Sequence, residues 1–488
     1  MNEIRTFLLV VRHESRVLVA DRSLVAVMVL TAILVLLGLY NGLDASQQRE
    51  QTIAALLVKQ DETRVNNVAR LRRIMAGEEA PEPFSNPANP ALVGGGQGAQ
   101  LAVMPSLPLA PLAFGQSDLL PDHYRVSYRN KATFMYDAEI ENPWSLLSGR
   151  FDLAFVLVYL LPLMICAMSY NLLSAEREQG ILKLLMSQPL SLSALVLGKT
   201  VVRLLPLLAI ATLLPAAVLL ALRPDVRAPD QLALLAGWSL LTTAYALFWF
   251  ALAAAANLFG RSSATNAIVL IAAWVGLVLV APVLLNVLVA ALSPAPSRIA
   301  LATETRLVTI QGLNRYNELL STDYRYTDKP ELLLPQQGRF DVPARLRAFY
   351  LIHRDVDHEI EGVLAAFDRQ LAGQQALVDR LGWLSPAVIF HEALASLAGT
   401  GARRHQHFKR QIDDFHREWR AYFEPRVQSG TAIQAADYST MPKFVWQEAP
   451  RAETVRDLAL RLLQIFLPVA VLSGLALRRL RRFSVVPT

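Results

Sequence analysis

The chain has 488 residues, of which 53% are hydrophobic and only 18% are charged. Soluble globular domains carry about a quarter charged residues, so this composition excludes an ordinary soluble protein. The formal net charge is +6. The basic residues flank apolar segments and form no nucleic-acid-binding patch, so we expect no nucleic acid as a partner.

Six apolar segments are candidates for crossing a bilayer core of about 30 Å. They are residues 24–40, 153–170, 204–222, 232–256, 267–292 and 462–477. The first and last are short and need their flanks, which extends these two predicted spans to 23–42 and 456–477. The first lacks a small-residue cleavage site, so we predict no cleaved signal peptide. The expected class is an all-α integral membrane protein with six transmembrane helices.

The positions of the basic residues predict the orientation, because Lys and Arg near span ends mark the cytoplasmic side. With six spans, both termini, the loop after span two and the turn after span four fall on one side. The basic residues at these places are Arg5, Arg12, Arg16, Arg22, Arg177, Lys183, Lys199, Arg261, Arg478, Arg479, Arg481 and Arg482. We therefore expect both termini in the cytoplasm.

The spans themselves contain few charged residues. Arg203 and Arg461 lie at span ends, and we expect their long side chains to reach the membrane interface. The prolines are expected to kink the spans; they are Pro162, Pro206, Pro215, Pro282 and Pro468. The only cysteine, Cys166, lies in span two, so an intramolecular disulfide is impossible.

Two long insertions, 43–150 and 293–455, are expected outside the cytoplasm and largely helical. Apolar residues recur at steps of three and four along 53–75, 349–371 and 408–423, which predicts amphipathic helices. Breaks at 382–386 and 398–401 predict that the last two helices form an antiparallel hairpin. The stretch 81–98 is rich in Pro, Gly, Ala and Asn, and we expect it to lack regular structure.

Candidate catalytic motifs are incomplete. Gly198-Lys-Thr200 resembles the end of a phosphate-binding loop, but Ser193 stands where that loop requires glycine, so we reject ATP binding by this chain. His391-Glu392 resembles part of a zinc-protease helix, but the matching position is Ala395. A periplasmic metal site formed by His405, His407 and the more distant His416 stays open as an alternative.

The polar segment between spans two and three is the most specific feature. Asn171-Leu-Leu-Ser-Ala-Glu-Arg-Glu-Gln-Gly180, Leu184-Leu-Met-Ser-Gln-Pro-Leu-Ser191 and Gly198-Lys199 together resemble the first cytoplasmic loop of bacterial ABC transporter permeases of the type-2 exporter class. The chain is similar to a subfamily with large insertions, often described as a domain of unknown function. Further matching motifs are 115–121, 141–143, 149–152, 384–386 and 398–400. The sequence departs from that pattern at Ile181 and Gly401.

The resemblance implies a role for each part of the chain. Residues 1–22 would form an amphipathic connecting helix on the inner membrane face, 151–292 would hold spans two to five, and 478–488 would be a cytoplasmic tail. The coupling loop, 171–200, would dock on a separate ATPase. The expected contact residues are Glu176, Arg177, Glu178, Gln179, Gly180 and Lys183.

The resemblance also implies a complex in the bacterial inner membrane, with two ATPase subunits and a second permease that is identical or paralogous. This chain would bind no cofactor directly, would use ATP through its partner, and would not itself be an enzyme. The expected function is substrate export. Two alternatives are a mechanotransducer acting on a periplasmic partner without transport, and a membrane-anchored periplasmic metalloenzyme around His391, His405 and His407.

Overall fold

A computed structural model of the chain describes residues 3–114, 120–136, 151–188, 190–260, 262–294, 297–320, 326 and 329–481. Some features singled out in the sequence lie outside these residues. They are Arg261, Arg482, the motif residues 115–119 and 141–143, and the first two residues of the motif 149–152.

The described part of the chain contains six helices that are long and apolar enough to cross a membrane, as the sequence predicts. Spans one to six are Arg22–Met75, Leu153–Glu178, Leu192–Leu222, Pro229–Phe259, Ser263–Leu292 and Arg451–Arg481. The range of span two includes the short helix Ser174–Glu178, which a turn at 170–173 separates from its apolar part. Spans two and four form the centre of the bundle, whereas spans five and six leave most of their apolar side chains uncovered. The protein is therefore a multi-pass, all-α membrane protein in its overall class.

Three spans contain a π-helical turn that ends two residues before a proline. The turns are Val156–Leu160, Ala209–Leu213 and Val275–Val280, and the prolines are Pro162, Pro215 and Pro282. A proline has no N–H and displaces the carbonyl four residues earlier, so the helix must widen and other donors must satisfy the freed carbonyls.

Neighbouring elements supply those donors. The Tyr245 hydroxyl donates to the Val158 carbonyl at 2.9 Å, the position four residues before Pro162. The Trp274 indole N–H donates to the Tyr159 carbonyl at 3.0 Å. These bonds join span two to spans four and five, so the predicted proline distortions also help to hold the bundle together.

The helix that contains the first span continues beyond residue 42, where the predicted span ends. One continuous helix of 54 residues, Arg22–Met75, includes both the span and the stripe at 53–75. At 1.5 Å per residue this long helix reaches roughly 80 Å. Its close packing explains two glycines: a Cβ at Gly38 would lie 2.8 Å from the Asp152 carbonyl oxygen, and one at Gly42 would collide with the Pro111 carbonyl.

The two insertions pack together into one unit, which we call the insertion unit. Its core combines Leu71 and Val126 of the first insertion with Phe408, Trp419 and Phe423 of the second. The prediction for 81–98 holds for 81–89, which have no helix or strand, and fails for 90–97, where Pro90–Leu92 is helical and Val93–Gln97 forms a π turn. The prediction of largely helical insertions does not identify a two-stranded antiparallel sheet, in which β1, Gln100–Val103, pairs with β2, His123–Val126.

The predicted hairpin is confirmed, with an additional helix at its turn. Its first hairpin helix is Ala344–Leu381 and its second is Ala402–Ser429. Ion pairs join Asp368 to Lys409 at 3.0 Å and Asp357 to Arg420 at 2.8 Å, so the two helices run antiparallel. Between them lies the inserted helix, Pro386–Ala398, which packs within the core of the spans.

The remaining described elements are the segments that make up spans two, three and five and the elements that lie outside the spans. They are the helices Glu3–Ala20, Leu153–Phe155, Leu161–Ser169, Ser174–Glu178, Ile181–Met186, Leu192–Leu208, Leu214–Leu222, Ser263–Trp274, Ala281–Leu292, Arg298–Arg315, Asn317–Leu320 and Asp437–Thr440, the 3₁₀ turns Ala110–Leu112, Pro224–Arg227, Pro330–Leu333 and Gly382–Leu384, and the π turn Ala132–Tyr136.

Candidate functional site

The coupling loop folds into two short helices separated by a glycine. The first loop helix is Ser174–Glu178 and the second loop helix is Ile181–Met186. Gly180 between them has φ 73°, a left-handed conformation that residues with a Cβ adopt at a cost. Ser191 then caps the helix of span three by accepting from the Ala194 N–H at 3.2 Å.

A buried ion network attaches the first loop helix to its surroundings. Glu176 forms an ion pair with Lys199 of span three, and Glu14 of the N-terminal helix Glu3–Ala20 lies 3.6 Å from the same ammonium group. The Lys199 side chain is only 3% exposed, so its charge requires these two carboxylates. Lys199 is therefore the point at which the loop, the N-terminal helix and span three meet.

A second set of contacts attaches the loop to the start of span five. The Glu178 carboxylate accepts from the Ser263 backbone N–H at 2.6 Å and from its hydroxyl at 3.0 Å. A carboxylate at a helix N-terminus stabilises the unpaired N–H groups and the positive end of the helix dipole. Arg177 donates to the Gly260 carbonyl at 3.3 Å, just before this helix.

The predicted contact residues therefore fall into two groups. Glu176, Arg177 and Glu178 hold the loop against the rest of this chain, and Gln179, Gly180 and Lys183 lie on its surface. The surface also contains two apolar side chains that sequence reasoning left out: Ile181 is 42% exposed and Leu184 is 68% exposed. We call 179–184 the loop face. The exposed charged side chain of this face belongs to Lys183.

Two arginines that we expected at the membrane interface are buried instead. Arg203 is 7% exposed and donates to the Met168 carbonyl and, at 2.8 Å, to the Asn171 side chain. It thus satisfies carbonyls at the end of span two. Arg461 is 5% exposed, so its side chain too is enclosed by other parts of the protein.

Arg461 belongs to a network of four charges where span six meets the insertion unit. It pairs with Asp379 at 2.9 Å and with Asp457 at 3.6 Å. Arg403 pairs with the same two carboxylates at 2.9 and 2.7 Å. Asp379 lies near the end of the first hairpin helix and Arg403 near the start of the second, so span six is tied to both.

The inserted helix forms a second connection to the spans. The Phe390 ring stacks on the Tyr245 ring of span four, with centroids 4.1 Å apart and planes at 11°. The Ser385 hydroxyl donates to the Leu277 carbonyl at 2.7 Å. In a π turn that carbonyl would accept from residue 282, which is a proline without an N–H. Ser385 therefore supplies the donor that Pro282 lacks.

The three histidines of the metalloenzyme alternative have separate surroundings. His391 lies on the inserted helix, His405 packs against the Tyr124 and Phe408 rings, and His407 lies 3.0 Å from the Gln447 carbonyl. Burial lowers the pKa of His405 to about 4. Within the described residues, no group of three or more His, Cys, Asp or Glu side chains is placed to hold a metal ion.

A buried histidine makes the insertion unit sensitive to acid. Burial lowers the pKa of His416 to about 3 in the folded protein, against 6.5 for an ordinary histidine, and its ring nitrogen Nε2 donates to the Arg129 carbonyl at 3.0 Å. Above pH 6.5 the protonation of this histidine does not affect the stability of the folded protein. As the pH falls from 6.5 to 3, the unfolded chain binds a proton at His416 and the folded protein does not, so the free energy of unfolding decreases. Burial raises the pKa of nearby Asp357 to about 6. Between pH 4 and 6 its carboxyl group is protonated in the folded protein and ionised in the unfolded chain, so its effect on the free energy of unfolding has the opposite sign.

We expect His416→Gln to reduce the slope of the free energy of unfolding against pH by about 1.4 kcal/mol per pH unit between pH 5 and 6. The measurement is urea unfolding of the protein in nanodiscs at pH 5, 5.5 and 6, followed by tryptophan fluorescence. His358→Gln, at an exposed position of the first hairpin helix, is the matched control and should leave the slope unchanged. Equal slopes for both variants would contradict the assignment.

The comparisons with known proteins match only one part of the chain. Residues 316–447, within the second insertion, match a family described as Domain of unknown function (DUF3526). No curated protein was found to match the chain. The matched part contains the hairpin, the inserted helix and Asp379 and Arg403 of the four-charge network, so the similarity covers the half of that network outside span six.

Proposed function

We propose that this protein is the permease subunit of a type-2 ABC exporter in a bacterial inner membrane, with both termini in the cytoplasm and the insertion unit outside. The observation that carries the proposal is the coupling loop. Its first short helix is attached to other elements of the chain through Glu176 and Glu178, and residues 181–184 of the second present a compact face around Ile181, Lys183 and Leu184. An apolar face with one charge suits docking on a partner protein.

The attachments of the loop favour mechanical coupling to the membrane. Glu176 connects it to Lys199 of span three and Glu14 of the N-terminal helix, and Glu178 connects it to the start of span five. A force on the loop face would therefore move three elements together. The proposed partners are two ATPase subunits, which bind the ATP, and a second permease, identical or paralogous, beside the bilayer-facing surfaces of spans five and six.

The loop face provides the test. Ile181→Asp combined with Leu184→Asp should reduce ATPase binding and its stimulation by the permease at least tenfold, because two carboxylates would have to be buried in the contact. The measurement is co-purification and ATP turnover of the complex in nanodiscs. Gln188→Asp, also exposed in the same loop, is the control and should behave as the unaltered protein. Normal stimulation of the double variant would refute docking through this face.

The structure changes which substitutions can test docking. The sequence suggests reversing Glu176 and Glu178 to lysine, with loss of ATPase stimulation as the expected result. Glu176→Lys would place a second ammonium group beside buried Lys199, and Glu178→Lys would remove the cap at Ser263. Loss of stimulation in that variant would therefore report on the integrity of the loop as well as on the contact.

A second candidate, a mechanotransducer that acts on a periplasmic partner, is favoured by the continuous long helix. Span one enters the insertion unit without a break over 54 residues. The inserted helix and the four-charge network add further rigid connections. Transport requires a continuous cavity between the two permeases, along spans two and five, whereas transduction requires tightly packed spans. Substrate accumulation in proteoliposomes during ATP turnover would favour the exporter.

A further inference from the structure

A cleft of about 420 Å³ lies in the insertion unit, between the long helix and the segment that leads to span six. Leu57 and Lys59 form one wall, the backbone around Gln97–Leu101 forms the second, and residues 438–444 form the third. This volume is within the range of small-molecule sites, about 300–1,000 Å³. The cleft is separate from the coupling loop and from the four-charge network.

The charge of the cleft is predominantly positive. Lys59, Arg64, Arg125 and Lys443 line it, together with the single carboxylate of Asp61. Asp61 pairs with Arg64 at 2.6 Å. Within the described residues, Lys59, Arg125 and Lys443 have no ion-pair partner, although Arg125 donates to the Gly96 carbonyl at 3.0 Å. Other basic residues of the same unit, such as Arg49 and Arg70, are paired with carboxylates.

The cleft also offers apolar contact. Leu57, Met441 and Phe444 contribute apolar surface beside the basic side chains.

From these observations we infer that the cleft binds a small amphiphilic anion: a carboxylate or phosphate monoester with an apolar body. The basic side chains hold the anionic group and the apolar wall holds the body. The cleft begins about 20 Å along the long helix from the predicted end of span one at residue 42, and lipid headgroups extend only about 5–8 Å beyond the bilayer core. A soluble ligand therefore fits its position better than a lipid headgroup.

The position of the cleft links its ligand to the membrane. One wall is the long helix that continues from span one, and another is the segment directly before the helix of span six. A bound ligand would bridge these two walls and stabilise one separation between them. This inference does not depend on the coupling loop or on an ATPase.

The probe for the test is carboxyfluorescein, an anionic aromatic dye that stays outside phosphatidylcholine bilayers. Fluorescence polarisation with the full chain in phosphatidylcholine nanodiscs should show saturable binding. Lys59→Glu with Lys443→Glu should weaken it at least tenfold. Arg72→Glu with Arg369→Glu, two exposed residues outside the cleft, gives the same change in net charge and should weaken it less than twofold. 2-Naphthoate should displace the dye, and inorganic phosphate at the same concentration should not.

Four results would overturn the inference. They are the absence of saturable binding, equal weakening in the two double variants, displacement by inorganic phosphate as effective as that by 2-naphthoate, and displacement on changing the nanodisc lipid to phosphatidylglycerol. The second would mean general electrostatic attraction, the third a site for the anionic group alone, and the fourth a lipid-headgroup site. Circular dichroism of both variants verifies that they are folded.

Discussion

Replacing Arg461 with alanine should destabilise the attachment of the insertion unit to span six by about 3–5 kcal/mol. The guanidinium group is almost fully buried, and among the described residues its removal leaves Arg403 as the ion-pair partner of both Asp457 and Asp379. Buried carboxylates without sufficient compensation are costly because the protein interior replaces their hydration poorly. Urea unfolding of the intact protein in nanodiscs would measure the loss.

The same helix offers a matched control. Arg451 also pairs with an aspartate, Asp230, at 2.6 Å, but its side chain is 72% exposed against 6% for Arg461. Exposed ion pairs contribute about 0–1 kcal/mol, so Arg451→Ala should have little effect. If the two variants lose equal stability, burial does not decide the strength of the Arg461 contacts.

A double-mutant cycle separates this ion pair from simple loss of packing. The double variant Asp379→Asn, Arg461→Ala should lose less unfolding free energy than the two single variants together, by at least ~1 kcal/mol. The effects of substituting residues in contact are not additive. Asp379 and Arg461 are 82 positions apart in the sequence, so their coupling would report directly on the junction between hairpin and span six. Additive effects would show that the two side chains act independently.

Local patterns in the sequence predict the helices well and the contacts between them poorly. The apolar stripes at 349–371 and 408–423 depend only on the helical period, and both correspond to helices with buried faces. The two strands contain four residues each, too few for a period to stand out, and they are held by pairing across 19 intervening residues. The sequence therefore predicts the hairpin and misses the sheet.

The spans show the same division. Each proline removes a backbone N–H from its helix. A π turn precedes Pro162, Pro215 and Pro282, whereas Pro206 and Pro468 lie inside α-helices, so the sequence marks the candidate positions but not which of them distort. The donors that complete two of these sites, Tyr245 and Ser385, come from distant elements, and no local pattern identifies them.

The candidate site illustrates why its residues could be predicted but not their roles. The polar residues 176–180 stand out between two apolar spans, so the loop is visible in the sequence. In the sequence Gly198-Lys-Thr200 resembles an incomplete phosphate-binding loop, and the partners of Lys199, Glu14 and Glu176, are remote in the chain. Once these three side chains are seen together, Lys199 becomes the residue that fixes the orientation of the loop.

Lys199→Met should release the coupling loop from the spans. The change removes the cation between Glu14 and Glu176 and leaves two carboxylates in a buried position, at a cost of about 3–5 kcal/mol. If only the loop opens, about 3 kcal/mol would accelerate amide hydrogen exchange by roughly a hundredfold, at 1.4 kcal/mol for each factor of ten. Exchange of the amides in 174–186, measured by mass spectrometry of the protein in nanodiscs, tests this.

Two further variants serve as a control and a rescue for Lys199→Met. Lys183→Met removes the same charge from an exposed position of the same loop and should change exchange less than threefold. Glu14→Gln with Glu176→Gln, added to Lys199→Met, removes the unbalanced charges and should restore most of the protection, because amides can pair without a cation. If Lys199→Met exchanges like Lys183→Met, the buried network does not hold the loop. A force on the loop face would then have no rigid route through Lys199 to span three.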